Sequence, residues 1–253
     1  MTIKSLMLAT AITASALASV PAAATQEAFA SITALNNNRN FRWVKTGSTG
    51  GTFYTTTTAT DNVAGAVAMR FSPLGPNGFD IDANVLISGT TTADPLGVTT
   101  GSFSQVIDSF TFTVTATQGF QLGSQFYNAG TILLQSVGNV TNTRIQGTVG
   151  GTTGSFVGSP GAGAAMTFTS PIFTFQPGTT FGFNFGLASL SPAFATTGSN
   201  QSLSSFRARL TGDFQSDPLP RLNVPEPGTW AMMIVGMGLV GFARRRRNVA
   251  VAA

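Results

Sequence analysis

Phe110-Thr111-Phe112-Thr113-Val114-Thr115-Ala116-Thr117 alternates an apolar side chain with a threonine at every step. Successive side chains of a strand point to opposite faces, so the segment predicts one apolar face and one hydroxyl-covered face. The same pattern spreads outward in both directions. Phe79-Asp80-Ile81-Asp82-Ala83-Asn84-Val85-Leu86-Ile87 places Phe79, Ile81, Ala83, Val85 and Ile87 on one side. Phe181, Phe183, Phe185 and Leu187 alternate with Gly182, Asn184 and Gly186. Met166, Phe168 and Ser170 precede Pro171, after which Phe173 and Phe175 resume. Further strands are expected at 51–58, 63–71, 131–137, 143–149 and 204–211. Turn chemistry separates them, as in Ser72-Pro73-Leu74-Gly75-Pro76-Asn77-Gly78, Ala93-Asp94-Pro95-Leu96-Gly97 and Gln176-Pro177-Gly178. About nine short strands predict an all-β domain over residues 25–216. The expected form is an antiparallel β-sandwich, the jelly roll being one topology it admits.

Composition narrows the chemistry. The 253 residues contain no histidine and no cysteine, and only 9% are charged. A histidine-activated nucleophile, an imidazole or thiolate metal site and a disulfide framework are thereby excluded. Threonine fills 33 of the 200 positions from 25 to 224, which favours strands over helices. The net charge of +4 suggests a nucleic-acid binder until its location is read. Lys4 and Arg244–Arg247 hold five of the thirteen basic residues. Between 25 and 229 eight basic side chains face nine acidic ones, a balance of −1. No basic footprint for phosphate remains there, so no nucleic-acid partner is expected.

The ends have characters of their own. Lys4, the small apolar run Leu6–Val20 and Pro21-Ala22-Ala23-Ala24 compose a secretory signal peptide over residues 1–24. Cleavage on the Ala22-x-Ala24 pattern gives a mature start at Thr25, with Ala28-Phe29-Ala30 as a second site. At the other end, residues 217–224 are read as a proline-rich linker, an extended spacer because proline fixes φ. Pro225-Glu226-Pro227 follows, then Trp230-Ala231, an uncharged run to Ala243 and the arginine cluster Arg244, Arg245, Arg246, Arg247. The run predicts a short transmembrane helix with the arginines left in the cytoplasm. Fourteen residues rise about 21 Å against a hydrocarbon core of about 30 Å.

This order of parts resembles the PEP-CTERM sorting signal in its PEP-x-x-W-A variant. The resemblance covers only the tail, 225–247, and leaves 248–253 as an extra segment. It implies export by a diderm bacterium, recognition by an exosortase-type processing enzyme, and removal of the tail near Pro225-Glu226-Pro227. It also implies transient residence in the inner membrane, followed by a cell-surface or extracellular location associated with exopolysaccharide or biofilm.

The body offers little else of catalytic type. Asp80 and Asp82 lie two apart on one strand and share a face, which makes them weak candidates for calcium. A solvated face alternating with Phe79 and Ile81 is the plainer reading. Gly47-Ser48-Thr49-Gly50-Gly51 lacks the Lys-Ser/Thr of a phosphate loop and reads as a turn. Asn139-Val140-Thr141 and Asn200-Gln201-Ser202 fit the glycosylation sequon, a pattern frequent by chance. Trp43, between Arg42 and Val44, is either a sugar-stacking residue or, more simply, core. Gly147–Gly163 reads as a loop or weak hairpin. The expected function is that of an exported, non-catalytic surface or matrix protein without cofactor, with a carbohydrate-binding module as the alternative.

Overall fold

The computed structural model describes residues 26–35, 38–57, 65–75, 78–93, 101–137, 144–158, 167–198, 202–224 and 231–239. The first strands are β1 (Glu27–Ala34), β2 (Phe41–Thr46), β3 (Gly50–Thr55), β4 (Val67–Pro73), β5 (Ile81–Ala93) and β6 (Ser102–Ala116). The middle of the chain forms β7 (Phe120–Leu122), β8 (Gln125–Tyr127), β9 (Ile132–Val137), β10 (Arg144–Thr148), β11 (Gly154–Gly158) and β12 (Thr167–Thr169). The last are β13 (Phe173–Thr174), β14 (Thr180–Ser191), β15 (Thr196–Thr197), β16 (Ser202–Leu203), β17 (Phe206–Asp217) and β18 (Arg221–Leu222). A helix, α1, covers residues 231–239.

The all-β expectation holds, but the sheets are not separate. Pairing runs β5–β6–β10–β11–β14–β17–β2–β3 and returns to β5, every step antiparallel. One hydrogen-bonded ladder therefore closes on itself where a two-sheet sandwich was expected. The cause is the length of four strands. β5, β6, β14 and β17 have 12 to 15 residues, and β5, β6 and β17 change partner along their course. The first half of β5 pairs with β4 and the second with β3. β17 likewise pairs with β2 near its start and with β1 near its end. Register shifts at Thr90/Thr91, Val114/Thr115 and Ala188/Ser191 bend these strands so that the ladder can curl. At the β1–β4 end, β9 and β12 extend the ladder from β6. There the step from β12 to β14 is made by aromatic packing, with Phe168 and Phe181 ring centroids 4.9 Å apart.

Eight strands enclose a space that side chains just fill. Here phenylalanine fills it. Phe41, Phe53, Phe110, Phe112, Phe156, Phe183, Phe185 and Phe214 are all buried and pack ring against ring, edge-to-face in Phe53–Phe156 at 5.1 Å and stacked in Phe110–Phe183 at 4.7 Å. Rings this large need gaps opposite them. A Cβ on Gly158 would stand 2.2 Å from Phe183, and one on Gly154 2.5 Å from Phe194. Of the glycine-rich stretch 147–163, expected as a loop or weak hairpin, the described part to Gly158 belongs to the β10–β11 hairpin, and Gly147, Gly154 and Gly158 are spaces for aromatic rings.

Trp43 is fully buried, and its indole N–H donates to Thr91 Oγ1 at 3.0 Å. The core reading is correct for it; the sugar-stacking reading fails. The residues outside α1 that were expected of the tail helix, and the signal peptide, lie outside the described residues. No described helix is long and apolar enough to cross a membrane.

Candidate functional site

The chain leaves the body at a place held by five hydrogen-bonding interactions. β17 ends at Asp217, and Ser216 Oγ donates to the carbonyl of Pro218 at 3.2 Å. Three residues later the backbone becomes β18, antiparallel to β13 with Leu222 opposite Phe173 and Arg221 opposite Thr174. Asn223 N–H then donates to Ile172 O at 3.0 Å, and its side-chain Nδ2 donates to Pro171 O at 2.9 Å. Thr174 Oγ1 donates to Asn223 Oδ1. Leu222 and Val224 are half-buried against the phenylalanine core. The stretch 217–224, expected as a spacer, is extended but docked. Proline had removed its N–H donors at 218 and 220, yet Asn223 supplies donors that proline cannot.

Tyr127 belongs to the same seam. Its hydroxyl donates to Pro171 O at 3.4 Å, so that carbonyl receives both Tyr127 and Asn223. Burial pushes the Tyr127 phenol above its ordinary value. Desolvation disfavours the phenolate, so the group stays a donor through neutral pH. Nothing in the spacing of the sequence singles out Tyr127, Pro171, Thr174 or Asn223; they meet only through the fold.

The motif begins one residue past this clamp. Pro225, Glu226, Pro227 and Trp230 lie outside the described residues, as do Arg244–Arg247, Ala22 and Ala24. Ala231 opens α1. The helix exposes its apolar side chains, Met232 at 75% and Ile234 at 69% among them. Val224 and Ala231 are seven residues apart, a separation that an extended chain spans over at most about 25 Å. Whatever reads the motif therefore works close to the foot of the body.

The remaining candidates separate clearly. Asp80 and Asp82 do share a face, but Arg70 occupies it. Its guanidinium lies 3.6 Å from Asp80 Oδ2 and 3.1 Å from Asp82 Oδ1, and Ser72 Oγ donates to Asp80 Oδ1 at 2.7 Å. Among the described residues no group of three or more potential metal-binding side chains occurs. The pair is an exposed ion-pair cluster, which argues against the calcium reading. Elsewhere, β6, β10 and β11 carry a shallow groove of about 670 Å³. Ser102, Ser104, Arg144, Gln146, Thr148 and Ser155 line it, with Arg144 Nη1 donating to Ser104 Oγ at 3.0 Å.

Residues 223–247 match the family model of the PEP-CTERM protein-sorting motif. No curated protein and no solved structure matches the chain. The tail is thus a sorting signal of that type, and the chain is an exported protein that an exosortase processes at the membrane. The match opens on Asn223, the residue that closes the clamp.

Proposed function

We propose that the body is a non-catalytic component of the cell surface or extracellular matrix, held among exopolysaccharide after its tail has been removed. The observation that supports this reading is the junction at Val224. The fold is closed by β18 and Asn223 before Pro225-Glu226-Pro227, so processing near those prolines can release the body without opening it. Its outer strand positions, such as Thr111, Thr113 and Thr115, are short hydroxyl side chains suited to hydrated polymer.

The test is an immunoblot of fractionated cells in a host carrying the matching enzyme, comparing wild type with Glu226→Ala and Pro227→Ala. Wild type is expected outside the inner membrane at reduced size and with the matrix fraction. Both variants are expected at precursor size in the inner membrane. Processing of both like wild type would show that the motif is a spacer. Release without matrix association would remove the matrix reading alone.

A carbohydrate-binding module is the second reading, supported by the hydroxyl- and amide-lined groove on β6, β10 and β11. A glycan array probed with and without calcium decides between a definite ligand and none.

A further inference from the structure

We propose that the groove on β6, β10 and β11 binds an extended, uncharged polysaccharide, laid across the strands along one row of hydroxyl and amide side chains. The inference deepens the carbohydrate-binding reading of that groove and rests on it.

Strand register builds the row. Ser104 of β6 stands opposite Gln146 of β10, and Gln146 opposite Ser155 of β11. Their neighbours along the strands, Phe103, Ile145 and Phe156, are buried on the inner face, so all three side chains point outward. Ser155 in turn faces Gly186 of β14, and Gly186 faces Thr211 of β17. The row thus continues beyond the groove over five adjacent strands, about 19 Å at the usual strand spacing. Gly186 is exposed, and a Cβ there would meet only Thr211 O within 4 Å, at 3.8 Å. Any larger side chain at that position would stand across the row. Gly154 and Gly158 make room for rings inside the body, whereas Gly186 keeps a path open on its outside.

The lining decides the class of ligand. Ser102, Thr148 and Thr153 add hydroxyls beside the row. Serine, threonine and glutamine side chains each donate and accept hydrogen bonds, as sugar hydroxyls do. A polyanion would need a field of one sign, and this face has none. Arg144, the cation of the described lining, is engaged with Ser104 Oγ at 3.0 Å. Its own row runs through Val157 and Asn184 to the carboxylate of Asp213. Arg209 lies in the row on the other side, opposite Ala188. The track between these rows is uncharged, so it selects an uncharged chain. Val106 and Val157, half-buried on either side of Arg144, supply apolar contact for the C–H groups of a sugar ring. The groove volume of about 670 Å³ falls within the range of small-molecule clefts, but Phe103 is buried and lends no exposed ring for stacking. Each sugar is therefore held by hydrogen bonds whose net worth is small one by one. A chain crossing several strands is held, and a single sugar is not.

The test is affinity electrophoresis of the exported protein through gels containing hydroxyethylcellulose, galactomannan or polygalacturonate. At least one of the two neutral polymers is expected to retard wild type equally at low and high salt, and more than polygalacturonate does. Free monosaccharide is expected not to release it. The double variant Gln146→Ala/Ser155→Ala is expected to weaken that binding at least fivefold. Thr111→Ala, which removes an outward hydroxyl of β6 beyond the groove, is expected to leave it unchanged. Should the double variant not fold, Gly186→Ile decides, since its Cβ has room; it is expected to weaken binding about threefold by closing the row. No retardation by either neutral polymer, unaltered binding in the groove variants, an equal loss in Thr111→Ala, or tighter and salt-sensitive binding of polygalacturonate would each overturn the proposal. A glycan array of wild type and variants separates the two readings. Glycan binding that the variants keep refutes this site alone, whereas a wild type that binds no glycan refutes the carbohydrate-binding reading with it.

Discussion

The inside of the strand ring and the outside of α1 are equally apolar, and they meet opposite fates. Phe110, Phe156 and Phe185 are covered by other parts of the same chain, whereas Met232, Ile234 and Met237 in α1 are left 68–75% exposed. Covering apolar area contributes about 25 cal/mol per Å², wherever the cover comes from. In the body that cover is intramolecular, so the body is stable by itself. In the tail it has to be supplied from outside, which suits a segment that the membrane holds and an exosortase removes. Hydrophobicity alone does not separate the two; the boundary at Val224 does.

The comparison breaks most visibly at the centre of the ring. Phe110→Ala is expected to cost about 3–5 kcal/mol in urea unfolding, because its neighbours Phe53, Phe156 and Phe183 are held by rings on other strands and collapse poorly into the gap. A loss under about 1 kcal/mol would mean that the interior is loosely packed.

The clamp is next in size. Ending the chain at Leu219 removes β18, with Leu222, Asn223 and Val224, and is expected to cost about 2 kcal/mol relative to a chain ending at Val224, as half-buried apolar side chains and their hydrogen bonds are lost. The seam also has a pH signature. The folded state holds the Tyr127 phenol above its unfolded value, so its contribution is complete below the ordinary tyrosine value of about 10 and fades as pH rises beyond it. Tyr127→Phe should remove that alkaline loss, as followed by thermal melts across pH 8 to 11.

Trp43→Phe is expected to cost about 1–2 kcal/mol, since Thr91 loses the indole donor within a buried position. An unchanged melting temperature would show that Thr91 finds another partner.

How much of this could be read beforehand depends on the range of the interaction. Strands such as β6 and β14 were legible because alternation is local. Closure of the ring was not, because the β17 pairings that complete it join residues more than 160 positions apart, as in Phe206 with Trp43. The β10–β11 hairpin was half-hidden, since glycine reads as a turn until the ring it faces is known. β1 escaped notice because its small residues resemble the end of an export signal. For the tail the order reversed: Pro225-Glu226-Pro227 with Trp230 and the arginines was plain in the sequence, while Asn223 looked like one more linker residue. Ser104, Gln146 and Ser155 likewise become a row only when β10 pairs with β6 and β11.

The smallest expected effect is the sharpest test of the comparison. Removing everything after Val224 deletes the motif, α1 and the arginine cluster, yet among the described residues it takes no buried side chain away from the body. Every described hydrogen bond of the clamp lies at or before Asn223, and the described side chains of α1 are exposed. The melting temperature of a 25–224 chain is therefore expected to match that of residues 25–253 in detergent, with a stability difference within about 0.5 kcal/mol. A drop of several degrees would mean that α1 packs on the body and that its apolar surface is covered from within. The tail would then belong to the fold, and its removal by the processing enzyme would weaken the protein it releases.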